Sequence, residues 1–142
     1  MAVPISDKLT STKKKLEYYS DFTMGFEQNP ITNRLAKITN EQAVASGLKN
    51  LILTNQGERP FNPLFGSRVK RLLFEPVNDT TASLISDSIK QTIRSFESRI
   101  ILLQVKVLPD EDNNSYNVTI VYALINNQNH PLVLNVSLTR VR

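Results

Sequence analysis

The order of patterns along this chain predicts an α+β fold, with helical periodicity first and strand periodicity last. Two observations carry that prediction. Between residues 79 and 96, Ala82, Ile85, Ile89, Ile93 and Phe96 step by three or four, which places them on one helix face. From residue 99 onward the period becomes two, and three alternating runs are separated by polar turns. The expected architecture is a C-terminal three-stranded antiparallel meander with helices packed on one face, plus a short N-terminal strand.

Residues 1–28 are polar, rich in Ser, Thr and Lys, and show no sustained period. They read as an arm that orders on a partner, leaving 29–142 as a single α+β domain. Asn29-Pro30 marks the boundary, because the residue before a proline avoids helix. A short strand is expected over 31–38. Thr39 or Asn40 then caps a helix over about 41–54, whose Val44, Leu48, Leu51 and Ile52 make one buried stripe.

The stretch 57–67 is the most unusual in the chain. Pro60 and Pro63 fix φ and stiffen it, Phe61 and Phe65 are expected to pin it onto the core, and Arg59 stands at its start. Gly66 permits a sharp turn, and Ser67 is placed to cap a short helix running to about residue 74. Glu75-Pro76 ends that helix, and Asn78 or Asp79 starts the long one.

In the first strand of the meander, Ile101, Leu103, Val105 and Val107 alternate. In the second, Tyr116, Val118, Ile120, Tyr122 and Leu124 do so. After a turn at 126–131, Leu132, Leu134, Val136 and Leu138 alternate in the third, which spans about 132–141.

Composition narrows the function classes. The chain has 142 residues, 40% of them hydrophobic, enough to bury one core. It has no cysteine, which excludes disulfides and thiolate metal sites and suits a reducing cytoplasm. No apolar run approaches the ~20 residues that span a bilayer, and the first ten residues do not resemble a secretory signal, so no membrane partner is expected. Net charge is +4. The basic run Lys13-Lys14-Lys15 is followed by Leu16, Glu17, Tyr18 and Tyr19, which suits a protein-docking arm better than a nucleic-acid contact.

Catalysis finds little footing. The single histidine, His130, sits in a turn, and without a second His or a Cys a triad or metal site is hard to build. The four glycines are scattered, so no phosphate loop is present and no cofactor is implied. Glu58, Glu75 and Glu97 are candidate carboxylates for glycoside hydrolysis. Glu58 and Glu97, however, have an arginine within two residues, and a nearby cation holds a carboxyl pKa down where a general acid needs it raised.

Two features suit binding instead. Glu97-Ser98-Arg99, at the handover from long helix to first strand, reads either as a helix end with an exposed arginine or as a fork of charges for a partner helix. The last strand is long and carries few charges before Arg140, so it either completes the sheet or offers an edge for strand addition.

The run Arg59-Pro60-Phe61-Asn62-Pro63-Leu64-Phe65-Gly66, then Leu73-Phe74-Glu75, the helix, Glu97-Ser98-Arg99-Ile100 and the meander, resembles the baseplate wedge and sheath-initiator family of contractile tails. That family includes a T-even phage wedge subunit once labelled a tail lysozyme, and a type VI secretion counterpart. Tyr19-Ser20-Asp21-Phe22 extends the likeness toward the arm, so it covers about residues 18–142. The resemblance implies a non-enzymatic virion protein, assembled in the host cytoplasm, whose partners are baseplate wedge proteins, the tail sheath protein, and tail tube or hub proteins. The family's Glu-Pro-Arg motif, which attaches to a helical bundle of wedge proteins, falls on Glu97 and Arg99, with Ser98 in place of the proline. The family's terminal strands template sheath pairing, which gives 116–125 and 132–141 that role, through Val118, Ile120, Tyr122, Leu132, Leu134, Val136 and Leu138. A peptidoglycan-cleaving enzyme is the alternative.

Overall fold

The computed structural model describes residues 16–23 and 25–140. Most of the expected arm, and the last two residues of the chain, lie outside them. Strand β1 (Ser20–Phe22) pairs antiparallel with β2 (Lys37–Thr39), Ser20 opposite Thr39 and Phe22 opposite Lys37. The strand expected over 31–38 is therefore confined to its end. Its first half turns the chain instead: the Asn29 side-chain oxygen accepts from the N–H of Ile31 (2.9 Å) and Thr32 (3.3 Å), and Asn33 is left-handed at φ 53°.

Helix α1 (Asn40–Leu53) follows directly and buries Val44, Leu48, Leu51 and Ile52, the stripe its sequence sets out. Thr39 occupies the cap position, yet neither it nor Asn40 caps the helix with its side chain. Helix α2 (Val69–Leu72) is shorter than expected, and Phe74 beyond it is 58% exposed. Ser67 plays two parts there: its hydroxyl donates to the Ile52 carbonyl at 2.6 Å and accepts from the Val69 N–H at 3.3 Å. Helix α3 (Asp79–Phe96) is capped by Asn78, whose Oδ1 accepts from the Thr81 N–H at 2.7 Å. Its core face holds Ala82, Ile85, Ile89 and Ile93, all buried, whereas Phe96, expected to end that face, is exposed at the last turn.

The protein is α+β, with β3 (Ile100–Asp110), β4 (Ser115–Leu124) and β5 (Asn127–Thr139) forming an antiparallel sheet in that order. One face of the sheet and the three helices share a single core that includes Leu48, Ile89, Val118 and Val136. Tyr116 is fully buried in it, and its hydroxyl donates to the Pro76 carbonyl at 3.2 Å, so the one polar atom of that side chain is satisfied.

Strand β3 departs from simple alternation. The pairing slips at Leu103: Leu102 faces Tyr122, but Gln104 faces Val121. One extra residue reverses the phase, so the first half of the strand buries Ile100 and partly buries Leu102, and the second half buries Val105. Ile101 (39% exposed) and Leu103 (57%) lie outside, not on the core face their alternation implied. Strand β5 starts earlier than expected, at Asn127, because Leu124 and Asn127 pair across a two-residue turn.

Candidate functional site

The corner between α3 and β3 is closed by its own charges. The Arg99 guanidinium donates to Glu97 through Nε to Oε1 (2.8 Å) and Nη2 to Oε2 (2.6 Å), and the Arg99 backbone N–H adds a third bond to Oε1 at 3.1 Å. The Glu97 side chain is 8% exposed and that of Arg99 is 39%. Burial pushes the Glu97 carboxyl up, but the Arg99 bonds outweigh it and hold the group below the usual carboxylate range. The same bonds push the arginine up. Glu97 is thus consumed in fixing Arg99, and Arg99 alone is presented outward.

Three residues that the sequence did not assign to this corner complete it. The Tyr19 ring lies under the Arg99 guanidinium, 5.6 Å from its centroid. Asn40 holds the segment that carries Tyr19: its Oδ1 accepts from the Tyr18 N–H at 2.9 Å and its Nδ2 donates to the Leu16 carbonyl at 2.9 Å. It does so from a left-handed backbone, φ 49°, which turns its side chain away from the helix it begins. Gly47 leaves room for the guanidinium, since a Cβ there would lie 3.1 Å from Arg99 Nη2. A lone glycine inside a helical stripe was the one sequence signal of this close approach.

The two outer edges of the sheet differ. Edge strand β3 carries the bulge at Leu103 and a lysine at 106, and the Ser86 hydroxyl of α3 lies 3.5 Å from its Val105 carbonyl oxygen. Bulges and lysines are the devices that discourage pairing. Strand β5 runs for 13 residues; its own register slip, between Ala123 and Leu124, and Pro131 lie before Leu132, and among the described residues no strand pairs with its outer side. Leu132 and Leu134 are half-buried and Val136 and Leu138 buried, so its apolar side chains serve the core and its backbone is the free element. Strand β4 is central and paired on both sides. The backbone groups of Val118, Ile120 and Tyr122 therefore already have partners within the sheet, and these residues lie at neither edge.

The loop between α1 and α2 is stiff, but it is not pinned as its two phenylalanines suggested. Phe65 is half-buried, with its ring 5.4 Å from that of Phe96 and the Arg59 guanidinium 4.0 Å over it. Phe61 is fully exposed, because the turn from Arg59 to Asn62 points it away from the body. Pro60 and Pro63 are exposed, and Gly66 is buried with φ 113°.

The sequence profile of the baseplate wedge protein gp25 family matches residues 39–129, which hold α1, the loop, α2, α3, the Glu97–Arg99 corner and both strands β3 and β4. The chain belongs to this family. It is 34% identical over 86 residues to the baseplate wedge protein gp25 of Enterobacteria phage T4, an alignment covering 61% of this chain and 65% of that protein. The match thus spans less than two thirds of the relative's length. The fold is similar to the crystal structure of a Geobacter sulfurreducens protein provisionally assigned as a tail lysozyme, with a TM-score of 0.63 and 27% identity over 74% of this chain and 97% of that one. A chain of the anti-feeding prophage baseplate shares the fold at a TM-score of 0.59 and 18% identity, over 87% of each chain.

Against the lysozyme label of one relative, the carboxylates of this gp25-family chain can be read directly. The Glu58 carboxyl accepts from the Asn55 N–H (2.9 Å) and the Lys70 ammonium (3.2 Å), which hold it below its ordinary value. Glu97 is held down by Arg99, and Glu75 is exposed on the turn after α2. A general acid needs a raised pKa, and the two carboxyls with defined partners are shifted the other way. His130 is exposed near the start of β5, away from all three glutamates in sequence.

Proposed function

We propose that this chain is a non-enzymatic structural subunit of a contractile-tail baseplate wedge, and that it starts the tail sheath by strand addition. Arg99, oriented by Glu97, Tyr19 and Gly47, binds carboxylates or helix-end carbonyls of a wedge helical bundle. The outer edge of β5 receives a strand of the first sheath ring, whose register is set by the backbone groups left unpaired there. The partners are wedge proteins, the sheath protein, and tail tube or hub proteins, in a virion baseplate assembled in the host cytoplasm.

The inequality of the two sheet edges is the observation that carries this reading. The slip and the proline of β5 both precede Leu132, so Leu132–Thr139 runs in unbroken register, uncharged and with an open side, whereas β3 carries its bulge and Lys106 in mid-strand. Baseplates assembled with and without the chain, then offered purified sheath protein, test it. Sheath rings should form on complete baseplates and not on those lacking the chain. Normal sheath growth on baseplates without it contradicts the proposal.

A further inference from the structure

Phe61 is 102% exposed and Leu64 73%, although the loop that carries them is cross-tied. Gly57 N–H donates to the Pro63 carbonyl at 2.9 Å, Asn62 N–H to Arg59 at 3.2 Å and Phe65 N–H to Asn62 at 3.1 Å. Phe65 meets the loop's own need for an apolar anchor by packing on Phe96. Phe61 and Leu64 are left on a rigid support with no covering group, and a preorganised support lowers the ordering cost of binding. The local sequence is basic. Between residues 57 and 72, Arg59, Arg68, Lys70 and Arg71 stand against Glu58 alone, which Lys70 already pairs at 3.2 Å. Phe96 immediately precedes Glu97, so this loop and the Arg99 corner flank the same end of α3.

We infer that this loop is a second docking surface, which inserts Phe61 and Leu64 into an apolar pocket rimmed by carboxylates on a wedge protein. The inference rests on the baseplate reading of the chain. The apolar pair supplies the desolvated centre of the contact, and the surrounding cations select an acidic rim.

Wedge complexes assembled without this chain are the probe, titrated with the full-length protein, with a Phe61→Ala/Leu64→Ala variant and with Arg99→Ala. Both substituted side chains are exposed, so the double variant should melt like the parent. It should nevertheless bind the wedge about tenfold more weakly or worse, as expected for loss of a central aromatic contact. Equal binding of the double variant and the parent overturns the inference while leaving the baseplate reading intact. Failure of the parent itself to bind removes the baseplate reading, and this inference with it. Two controls name other occupants. Sedimentation of the parent, but not the double variant, with phosphatidylcholine–phosphatidylglycerol vesicles assigns the loop to a lipid surface and overturns the protein pocket. A dimer of the parent that the double variant loses assigns it to a second copy, with the same consequence.

Discussion

Arg99 and Glu97 close a two-point ion pair across Ser98, Nε to Oε1 at 2.8 Å and Nη2 to Oε2 at 2.6 Å. The pair turns one flexible cation into a fixed feature of the corner, with Tyr19 beneath it and Gly47 beside it. Serine at the central position leaves this geometry in place, since both bonds run between the flanking side chains.

Arg99→Ala should keep the fold and lose the wedge. Removing the guanidinium leaves a largely buried carboxylate short of two donors, at a cost of about 1–3 kcal/mol. Chemical denaturation should show that loss with a cooperative transition retained, and incorporation into baseplates should fail. Incorporation at the parent's level would remove Arg99 from the anchor.

The pair also sets a pH dependence. The folded Glu97 carboxyl lies below its ordinary value, so its stabilisation is fully present above the usual glutamate pKa of about 4.3. It is lost as pH falls through the lower, folded value. The stability difference between the parent and Glu97→Gln should be constant above about pH 6 and shrink toward about pH 3. A difference that does not change over that window would mean that the Glu97 carboxyl titrates alike in the folded and unfolded chain, so that the pair adds no net stability.

Gly66 and Gly57 both sit at positive φ, 113° and 92°, but only Gly66 is hemmed in. A Cβ at Gly66 would come within 2.6 Å of the Thr54 carbonyl oxygen, which also accepts the Ser67 N–H, whereas nothing lies within 4 Å at Gly57. Gly66→Ala should cost about 1–3 kcal/mol, and Gly57→Ala should cost visibly less. Equal losses in denaturation midpoint would show that backbone strain alone governs both sites.

Asn40→Ala removes the bonds to the Leu16, Tyr18 and Tyr19 backbone and places alanine in a left-handed conformation. Asn40→Gly removes the bonds but relaxes the backbone. Both should release residues 16–22, seen as faster amide exchange there, and only the alanine variant should add about 1 kcal/mol of strain. Unchanged exchange in both would mean that β1 is held by its pairing to β2 and not by Asn40.

What the sequence disclosed and what it concealed divide along the range of the interactions. The core face of α3 and the whole of β4 follow from periodicity, because one apolar surface meets one core. The outward turn of Ile101 and Leu103 does not, since a bulge is a property of two paired strands and leaves no mark in either one. Phe61 was expected inside because apolar bulk is the usual reason to bury a side chain; the turn that exposes it is set by hydrogen bonds within the loop. Glu97 and Arg99 were legible as a charged corner. Their mutual saturation rests on side-chain geometry that spacing does not give, and the parts played by Tyr19 and Asn40 depend on contacts more than twenty residues apart. Both edges of the meander read alike until the positions of their register slips, and Ser86, distinguish them.

Residue-resolved hydrogen exchange along β5 tests the strand-addition mechanism most directly. In an antiparallel edge strand the amides alternate between those bonded to the neighbour and those facing outward. In the free protein, those bonded to β4 should exchange slowly and the alternate ones between Leu132 and Thr139 quickly. Once sheath has assembled on the baseplate, the outward set should slow to match the inward one. Outward amides already protected in the free protein, or still fast beneath an assembled sheath, would contradict it.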